Sequence, residues 1–201
     1  MRAEIYVEGG GPPGRVTNIR CREGFRKLLA KCGLDNSRFQ VTACGGSGDA
    51  WNDFLEAHAD AGGAYYVALL IDSESPVANI EETWKHLTEE HNWQRPPDAR
   101  DDQVLFMTTC METWIVADRS AVSAHFGQCL LVSELPDLDG LEELRHGAVK
   151  DRLQAATRSC PAPYGKGPIS FEVLSRLDPT VLEERLPSFR RARRVLTERL
   201  G

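Results

Sequence analysis

The chain has 201 residues, of which 41% are hydrophobic and 27% are charged, and its formal net charge is −6. This length and composition are typical of one soluble domain with a small appendage, and such a chain can bury a core without needing disulfides or metals to fold. The acidic balance argues against a protein that coats nucleic acid, but it leaves a small phosphate-handling site open. No run of about 18 apolar residues occurs, and the charged start MRAEIYVEG is unlike a signal peptide, so we expect a cytoplasmic protein without a membrane span.

The six cysteines are scattered along the chain and form no CxxC pair, which argues against a zinc ribbon. In a chain without a signal peptide we expect all of them to be reduced thiols. They are Cys21, Cys32, Cys44, Cys110, Cys129 and Cys160.

Strands and helices alternate regularly through the first 127 residues. A loop rich in Gly and Pro, GGGPPGR, follows Glu8 and breaks the first such pair. Regular alternation favours an α/β fold of the Rossmann-like kind, with a mostly parallel, four-stranded sheet flanked by helices. The predicted strands span 3–7, 39–44, 65–71 and 103–108, and the predicted helices span 18–32, 47–59, 78–90 and 111–126.

The pattern changes after Gly127. Helices are predicted over 146–157, 169–176 and 179–198, and the loop SCPAPYGKGP precedes the second of them. We therefore divide the chain into a core, 1–127, and a mainly helical extension, 128–201, that packs on the core and carries Lys166. The last helix contains a basic run that suits a helix C-terminus, with contact to a nucleic-acid backbone as the alternative. Its members are Arg190, Arg191, Arg193 and Arg194.

Acidic residues follow three of the four predicted strands. Glu8 follows the first, Asp72 and Glu74 follow the third, and Glu112 and Asp118 follow the fourth. Strands of a parallel sheet end along one edge, so these carboxylates are predicted to gather there, where they repel one another unless a cation or protons neutralise them. Carboxylate oxygens suit Mg²⁺ or Mn²⁺, the ions of metal-assisted phosphoryl transfer. For each acid taken alone, the alternative is a turn or helix-cap role.

Two glycine-rich segments are further candidates for phosphate contact. In CGGSGDA, the backbone of Gly45, Gly46 and Ser47 precedes a helix N-terminus and could approach a phosphate, although a tight structural turn is the preferred alternative. In YGKG, Lys166 lies between glycines and is predicted to be accessible, the alternative being a solvated turn lysine. Arg158 is a weaker candidate for contact with nucleic acid.

The five histidines show no spacing typical of metal ligation, and we interpret them as non-catalytic. They are His58, His86, His91, His125 and His146.

The segments IYVEGGG and LLIDSESP resemble the Toprim domain, which type IA and II topoisomerases, bacterial primases and OLD-type nucleases share. Its pattern is a Glu after the first strand and an Asp-x-Asp after the third. Glu8 matches the Glu, and Asp72 and Glu74 match the Asp-x-Asp, although Glu74 is one methylene longer than the usual aspartate.

Over nearly its whole length the chain more closely resembles a small bacterial family, domain of unknown function 4276, which looks related to the Toprim half of OLD-type systems. The resemblance lies in YVEGGG, CREGFRKLL, ACGGSGDAWNDF, LLIDSESP, CMETWIVADR and YGKGPISFEVL.

The resemblance implies a role for each matched residue. Glu8 would be a general acid or base or a metal ligand, Asp72 and Glu74 would hold Mg²⁺ or Mn²⁺, and Glu112 would add a further carboxylate. Lys166 would stabilise phosphate charge. The downstream acid that nuclease forms carry after the Glu8 loop has no match here.

The function implied is a metal-dependent nuclease of DNA or RNA, the effector of an anti-phage defence system paired with an ATPase. The alternatives are a non-catalytic partner or sensor subunit that docks on an ATPase, and an enzyme acting on small phosphoesters. A homo-oligomer is left open.

Overall fold

The computed structural model of the protein describes residues 1–10 and 16–201, so most of the predicted GGGPPGR loop lies outside the described residues. A single four-stranded sheet has the strand order β2-β1-β3-β4, and every pairing in it is parallel. The predicted α/β class is therefore confirmed. The strands are β1 (Ala3–Val7), β2 (Phe39–Ala43), β3 (Tyr66–Asp72) and β4 (Val104–Met107).

Strand β3 lies in the middle of the sheet, and all seven of its residues are buried. Its side chains alternate between two apolar clusters: Ala68 and Leu70 join one, while Leu69 and Ile71 join the other. Burial on both faces explains why this strand reads as an unbroken apolar run rather than as an alternating one.

Helices cover both faces of the sheet. One apolar cluster combines β1 with α1 and with most of the later helices, and the other combines β3 and β4 with α2 and α3. The helices are α1 (Val16–Lys31), α2 (Ser47–Ala61), α3 (Thr83–His91), α4 (Met111–Ala117), α5 (Arg119–Phe126), α6 (Ala148–Thr157), α7 (Pro168–Leu174), α8 (Pro179–Arg185) and α9 (Pro187–Leu200).

Two predicted helices are each divided into two. The helix predicted over 111–126 breaks at Asp118, whose Oδ1 accepts a hydrogen bond from the Ala121 amide at 3.0 Å and so caps α5. The helix predicted over 179–198 breaks before Pro187, because proline has no amide hydrogen and is best tolerated in the first turn of a new helix. Both predictions were wrong as single helices.

Helix α3 begins five residues later than the helix predicted over 78–90. Its first turn is capped from a distance, since Asp101 Oδ1 accepts from the Trp84 amide at 3.0 Å and from the Thr83 hydroxyl at 3.2 Å. A cap supplied 17 residues away cannot be found by local pattern alone.

The basic run of α9 is paired within the chain. Arg191 is only 4% exposed and donates to the backbone oxygens of Val104 and Asp101, both at 2.8 Å, and to Glu81. Arg194 also pairs with Glu81. These arginines therefore attach α9 to the start of β4, and the predicted alternative of a free nucleic-acid-binding run is not favoured. The remaining members, Arg190 and Arg193, bond to residues of α8.

Cys129 and Cys160 are joined by a disulfide, so the prediction of reduced thiols is wrong for this pair. The four other cysteines are free thiols, as predicted, and all four are buried. The disulfide connects the segment after α5 to the segment after α6, just before the loop that carries Lys166.

Apolar side chains from both sides of the predicted 127/128 boundary contribute to the larger of the two clusters. Phe25 of α1, for example, lies with Phe171 of α7 at a ring-centroid distance of 6.5 Å. The division into a core and an extension remains a prediction. Within residues 1–10 and 16–201, no helix is both long enough and apolar enough to cross a membrane.

Candidate active site at the carboxyl edge of the sheet

Three of the predicted acidic residues lie at the carboxyl ends of three neighbouring strands. Glu8 directly follows β1, Asp72 ends β3, and Glu112 lies in the first turn of α4, shortly after β4. Because β3 lies between β1 and β4, Asp72 is the central member. The sheet thus brings together side chains that are up to 104 positions apart, as the strand-end pattern predicted.

Asp72 is the most heavily bonded of the three. Its side chain is 2% exposed, its Oδ1 accepts from the Met111 amide at 2.7 Å, and its Oδ2 accepts from Lys166 Nζ at 3.2 Å. Its amide donates to Glu8 Oε2 at 3.2 Å. These bonds fix the Asp72 carboxylate against the start of α4 and against the YGKG loop.

Glu112 is fully buried, with an exposed fraction of 0%. Its Oε1 accepts a hydrogen bond from the Tyr164 hydroxyl at 2.9 Å. Its Oε2 has no hydrogen-bond partner among the described residues. A buried carboxylate oxygen without a donor is costly, and such an atom is typical of a site that expects a ligand.

Glu74 lies at the rim of this group. Its Oε2 is 2.7 Å from His146 Nδ1, and both side chains are partly exposed. Its backbone has a φ of +64°, in the left-handed region that a residue with a side chain enters at a cost. The chain thus holds Glu74 in an unfavourable conformation at the edge of the acidic group.

The pKa values of Asp72 and Glu8 are raised, mainly by burial. Burial raises the pKa of Asp72 well above its usual value, and the negative charges of Glu8 and Glu112 raise it further, against the opposing effect of Lys166. Burial and Glu74 likewise raise the pKa of Glu8.

Lys166 responds in the opposite way. Burial alone would lower the pKa of its ammonium group, but the carboxylates of Asp72, Glu112 and Glu8 outweigh burial and raise it. Lys166 is therefore the counter-ion of the acidic group in this structure.

Two openings reach Glu8 and Lys166, whereas Glu74 and Glu112 line neither of them. A cavity of about 30 Å³, enough for one or two water molecules, is bounded by Glu8, Asp72 and Lys166 and by apolar side chains behind them. A larger cleft of about 710 Å³ shares Glu8 and Lys166 and extends over Thr17 and Gly45. Among the described residues, Glu8 and Lys166 thus face a space much larger than a water molecule.

The glycine turn before α2 forms part of that cleft. The amide of Gly46 donates to Asp49 Oδ2 at 3.0 Å, so a carboxylate of the chain itself occupies the position where an anion would bind. A Cβ at Gly45 would lie 2.1 Å from the same oxygen, so a larger residue there would require the Asp49 side chain to move. Ser47 is the first residue of α2 rather than its cap. This geometry favours the structural turn, and the phosphate contact stays a prediction.

Two other candidates are engaged elsewhere. Arg158 lies at the end of α6 at 3.8 Å from Glu134, and it lines neither opening at the carboxyl edge. Asp118 caps α5 with one oxygen and accepts from the Asp178 amide at 2.9 Å with the other. Asp118 thus has a structural role in the described part of the chain.

The fit of a divalent cation can be judged from these contacts. Among residues 1–10 and 16–201, no three side chains of His, Cys, Asp or Glu type are arranged closely enough to hold a metal ion. Mg²⁺, however, is usually held by only one or two carboxylates, with water and phosphate oxygens completing its shell. The donor chemistry of Asp72 and Glu112 fits such an ion, with Lys166 as the group that it would displace.

Sequence reasoning missed two residues at this site. Tyr164 precedes Lys166 by two positions in the same YGKG motif, so its position was a usable signal. His146 was interpreted as non-catalytic, and the structure places it beside Glu74. Nothing local distinguishes His146, because it reaches the sheet edge from the segment before α6.

The family profile described as domain of unknown function (DUF4276) matches residues 17–196, which is most of the chain. The chain belongs to the DUF4276 family. No curated protein and no solved structure matched the chain. The segment that matches the DUF4276 profile contains Asp72, Glu74, Glu112 and Lys166, while Glu8 precedes it.

Proposed function

We propose that this protein is a metal-dependent nuclease that hydrolyses phosphodiester bonds of DNA or RNA. The observation that carries the proposal is the buried Glu112 carboxylate, whose Oε2 lacks a partner beside the Asp72–Lys166 ion pair. An unpaired buried acid next to a second acid favours the binding of a cation. The resemblance to Toprim domains supports the same assignment.

In this proposal Asp72 and Glu112 hold Mg²⁺ or Mn²⁺, with Glu8 and Glu74 as further oxygen donors. The cation supplies positive charge to the phosphate oxygens and lowers the pKa of water. Lys166, whose side chain is 45% exposed, leaves Asp72 and pairs with a phosphate oxygen of the substrate. Its glycine neighbours in YGKG give the backbone the freedom for that movement.

Glu8 is the proposed proton acceptor. Its Oε2 accepts a hydrogen bond from the Asp72 amide at 3.2 Å, which holds the carboxylate beside the proposed cation ligands. Glu8 lines both the small cavity and the large cleft, so it faces the space where water and substrate would meet.

One observation favours a second candidate function. Lys166 already neutralises Asp72, and no preformed metal-binding trio exists among the described residues. A chain with this arrangement could instead be a non-catalytic subunit that keeps the fold and docks on a partner protein. The ATPase partner and the defence role rest on the family resemblance alone.

Cleavage assays with the purified chain test the proposal. Single- and double-stranded DNA and RNA are incubated with Mn²⁺, with Mg²⁺ or with EDTA. Glu112→Gln should lower the cleavage rate by about 100-fold, since it removes a charged cation ligand while keeping the side-chain shape. Glu56→Gln, an exposed acid of α2, serves as the matched control and should leave the rate unchanged.

Isothermal titration with Mn²⁺ separates the two candidate functions. Binding that Glu112→Gln weakens, together with cleavage, supports the nuclease. Cleavage that persists in EDTA contradicts the proposal. Equal losses of cleavage rate in Glu112→Gln and Glu56→Gln would also contradict it. A chain that neither binds Mn²⁺ nor cleaves favours the non-catalytic subunit.

A further inference from the structure

Helix α1 is a strongly basic element in an acidic protein. It carries five basic side chains and one acidic one, whereas the whole chain has a formal net charge of −6. The cations are Arg20, Arg22, Arg26, Lys27 and Lys31.

Three of these five cations have no partner among the described residues, and a fourth makes only one weak surface contact. Arg22, Arg26 and Lys27 are exposed and form no hydrogen bond or ion pair with any residue in the described part of the chain. Arg20 makes only a 3.7 Å contact with Glu23, in which both side chains are about half exposed. Such a surface pair contributes little to stability.

The basic residues of α9 provide an internal contrast. Arg191 and Arg194 are bonded to Glu81 and to the backbone, so their charges stabilise the fold. Lys31, the fifth cation of α1, likewise donates to the backbone oxygens of Ser175 and Leu177. Arg20, Arg22, Arg26 and Lys27 make no such bonds to other elements, so their charges stay available to a partner outside the chain.

The position of α1 connects these charges with the candidate active site. Thr17, in the first turn of α1, lines the 710 Å³ cleft together with Glu8 and Lys166. Arg20 follows one turn later on the exposed face.

The far side of α1 packs on α7, the helix that directly follows the Lys166 loop. Gly24 allows this close approach, since a Cβ there would lie 2.8 Å from the Phe171 oxygen. The basic face is therefore held in a fixed relation to the site.

We propose that the exposed basic face of α1, formed by Arg20, Arg22, Arg26 and Lys27, binds the phosphate backbone of a nucleic acid and guides it into the cleft. This inference rests on the proposed nuclease function, because that function makes the occupant a polyanion with many phosphates. Four exposed cations on one helix, with Glu23 as the only acid among them, are complementary in charge to such a chain.

Binding measured without cleavage tests this surface. A fluorescein-labelled 20-nucleotide duplex and the corresponding single strand are titrated with the full chain in EDTA at several KCl concentrations, and anisotropy gives the affinity. Arg22→Gln/Arg26→Gln is compared with Arg2→Gln/Lys85→Gln, a control that removes the same charge from exposed positions on other elements. Circular dichroism checks that both variants are folded.

The expected result is a weaker dependence of binding affinity on salt concentration in the α1 variant. Each lost phosphate contact should lower the slope of log affinity against log salt by about 0.9 for the duplex or about 0.7 for the single strand. The α1 variant should therefore lose a slope of about 1.8 on the duplex, while the control variant keeps the wild-type slope.

Two outcomes would overturn the inference: equal slopes in the two variants, or no binding by the wild type even at low salt. Because no cleavage is measured, a chain that binds through α1 but never cleaves contradicts the proposed function and leaves this surface intact. A chain that cleaves while its α1 variant binds as tightly as wild type contradicts this inference and leaves the proposed function intact.

Discussion

The hydroxyl of Tyr164 donates a 2.9 Å hydrogen bond to Oε1 of Glu112, while the other oxygen of the same carboxylate is buried without a partner. The Tyr164 hydroxyl thus satisfies Oε1 of the buried Glu112 carboxylate and fixes the direction in which Oε2 points. Burial and the adjacent Glu112 charge raise the pKa of Tyr164 well above its usual value, so its proton stays on the phenol oxygen. A proton held there is available only for this hydrogen bond.

Removing the tyrosine hydroxyl should therefore destabilise the fold. Tyr164→Phe leaves both oxygens of Glu112 without a donor, and we expect the free energy of unfolding to fall by about 1–3 kcal/mol. Urea unfolding measures the change, with Tyr65→Phe as a control at a tyrosine on the protein surface. In the Tyr164→Phe/Glu112→Gln double variant the loss should be smaller than the sum of the two single losses. Additive losses would show that the two side chains do not interact.

The raised pKa of Asp72 predicts a specific dependence of stability on pH. The unfolded aspartate has a lower pKa than the folded one, so the folded chain binds more protons in the window between the two values. The contribution of Asp72 to the free energy of unfolding must therefore fall as the pH rises through that window. Asp72→Asn removes this contribution, so wild type should lose stability relative to Asp72→Asn as the pH rises.

Urea unfolding in EDTA between pH 4 and pH 8 tests the sign, and EDTA removes any bound cation from the comparison. Asp60→Asn, at an exposed position of α2, should run parallel to wild type. A wild type that gains stability over Asp72→Asn with rising pH would contradict the assignment.

The paired arginines of α9 predict different losses of stability for substitutions at Arg191 and Arg194. Arg191→Met removes a charged donor from the buried oxygen of Val104 and from the oxygen of Asp101, which keeps its bonds from Thr83 and Val104, and it should lower the free energy of unfolding by about 2–4 kcal/mol. Arg194 is 47% exposed and bonds only to carboxylates that are themselves exposed, so Arg194→Met should cost less than about 1 kcal/mol. Chemical unfolding of the two variants side by side makes the comparison, and equal losses would contradict it.

The disulfide between Cys129 and Cys160 predicts a redox-dependent stability. It closes a loop between residues 31 positions apart. In the chain-entropy treatment a loop of this length contributes about 3–4 kcal/mol, through restriction of the unfolded chain. In wild type, dithiothreitol should lower the free energy of unfolding by about 3–4 kcal/mol and so lower the unfolding midpoint. The midpoint of Cys129→Ala/Cys160→Ala should not change. Equal midpoints with and without the reductant in wild type would show that the bond does not form in solution.

The parts of the site that follow from strand topology were predictable from the sequence. An apolar run that ends in acids, repeated at several strand ends, places Glu8, Asp72 and Glu112 at one edge in any parallel sheet. The parts that depend on contacts between residues far apart in the sequence could not be predicted. Asp101 caps α3, and His146 reaches Glu74, through contacts that no local pattern encodes.

The basic runs show the same limit in another way. The sequence singled out the arginine run of α9 because its members are adjacent in the chain. The structure uses Arg191 to bridge to residues about 90 positions earlier, whereas three cations without a partner among the described residues lie on α1. Charge clusters in a sequence do not reveal which charges are already neutralised by the fold.

The left-handed backbone of Glu74 predicts that stability and activity can be separated at this position. Glycine adopts a φ of +64° without the steric cost that a side chain brings, so Glu74→Gly should relieve about 1 kcal/mol of strain. Loss of the partly exposed contact with His146 offsets roughly half of that gain. The variant should thus be as stable as wild type or slightly more stable, yet bind Mn²⁺ more weakly and cleave more slowly.

Asn92→Gly is the matched control, because Asn92 has a φ of +57° at the end of α3 but, unlike Glu74, contributes no carboxylate to the acidic group. It should show the stability change without the loss of Mn²⁺ affinity. Urea unfolding and Mn²⁺ titration on the two variants decide the matter. If Glu74→Gly lowers stability and leaves Mn²⁺ affinity unchanged, the conformation of Glu74 serves the fold rather than the site, because strain is retained only where a bound ligand or a packing contact compensates for it.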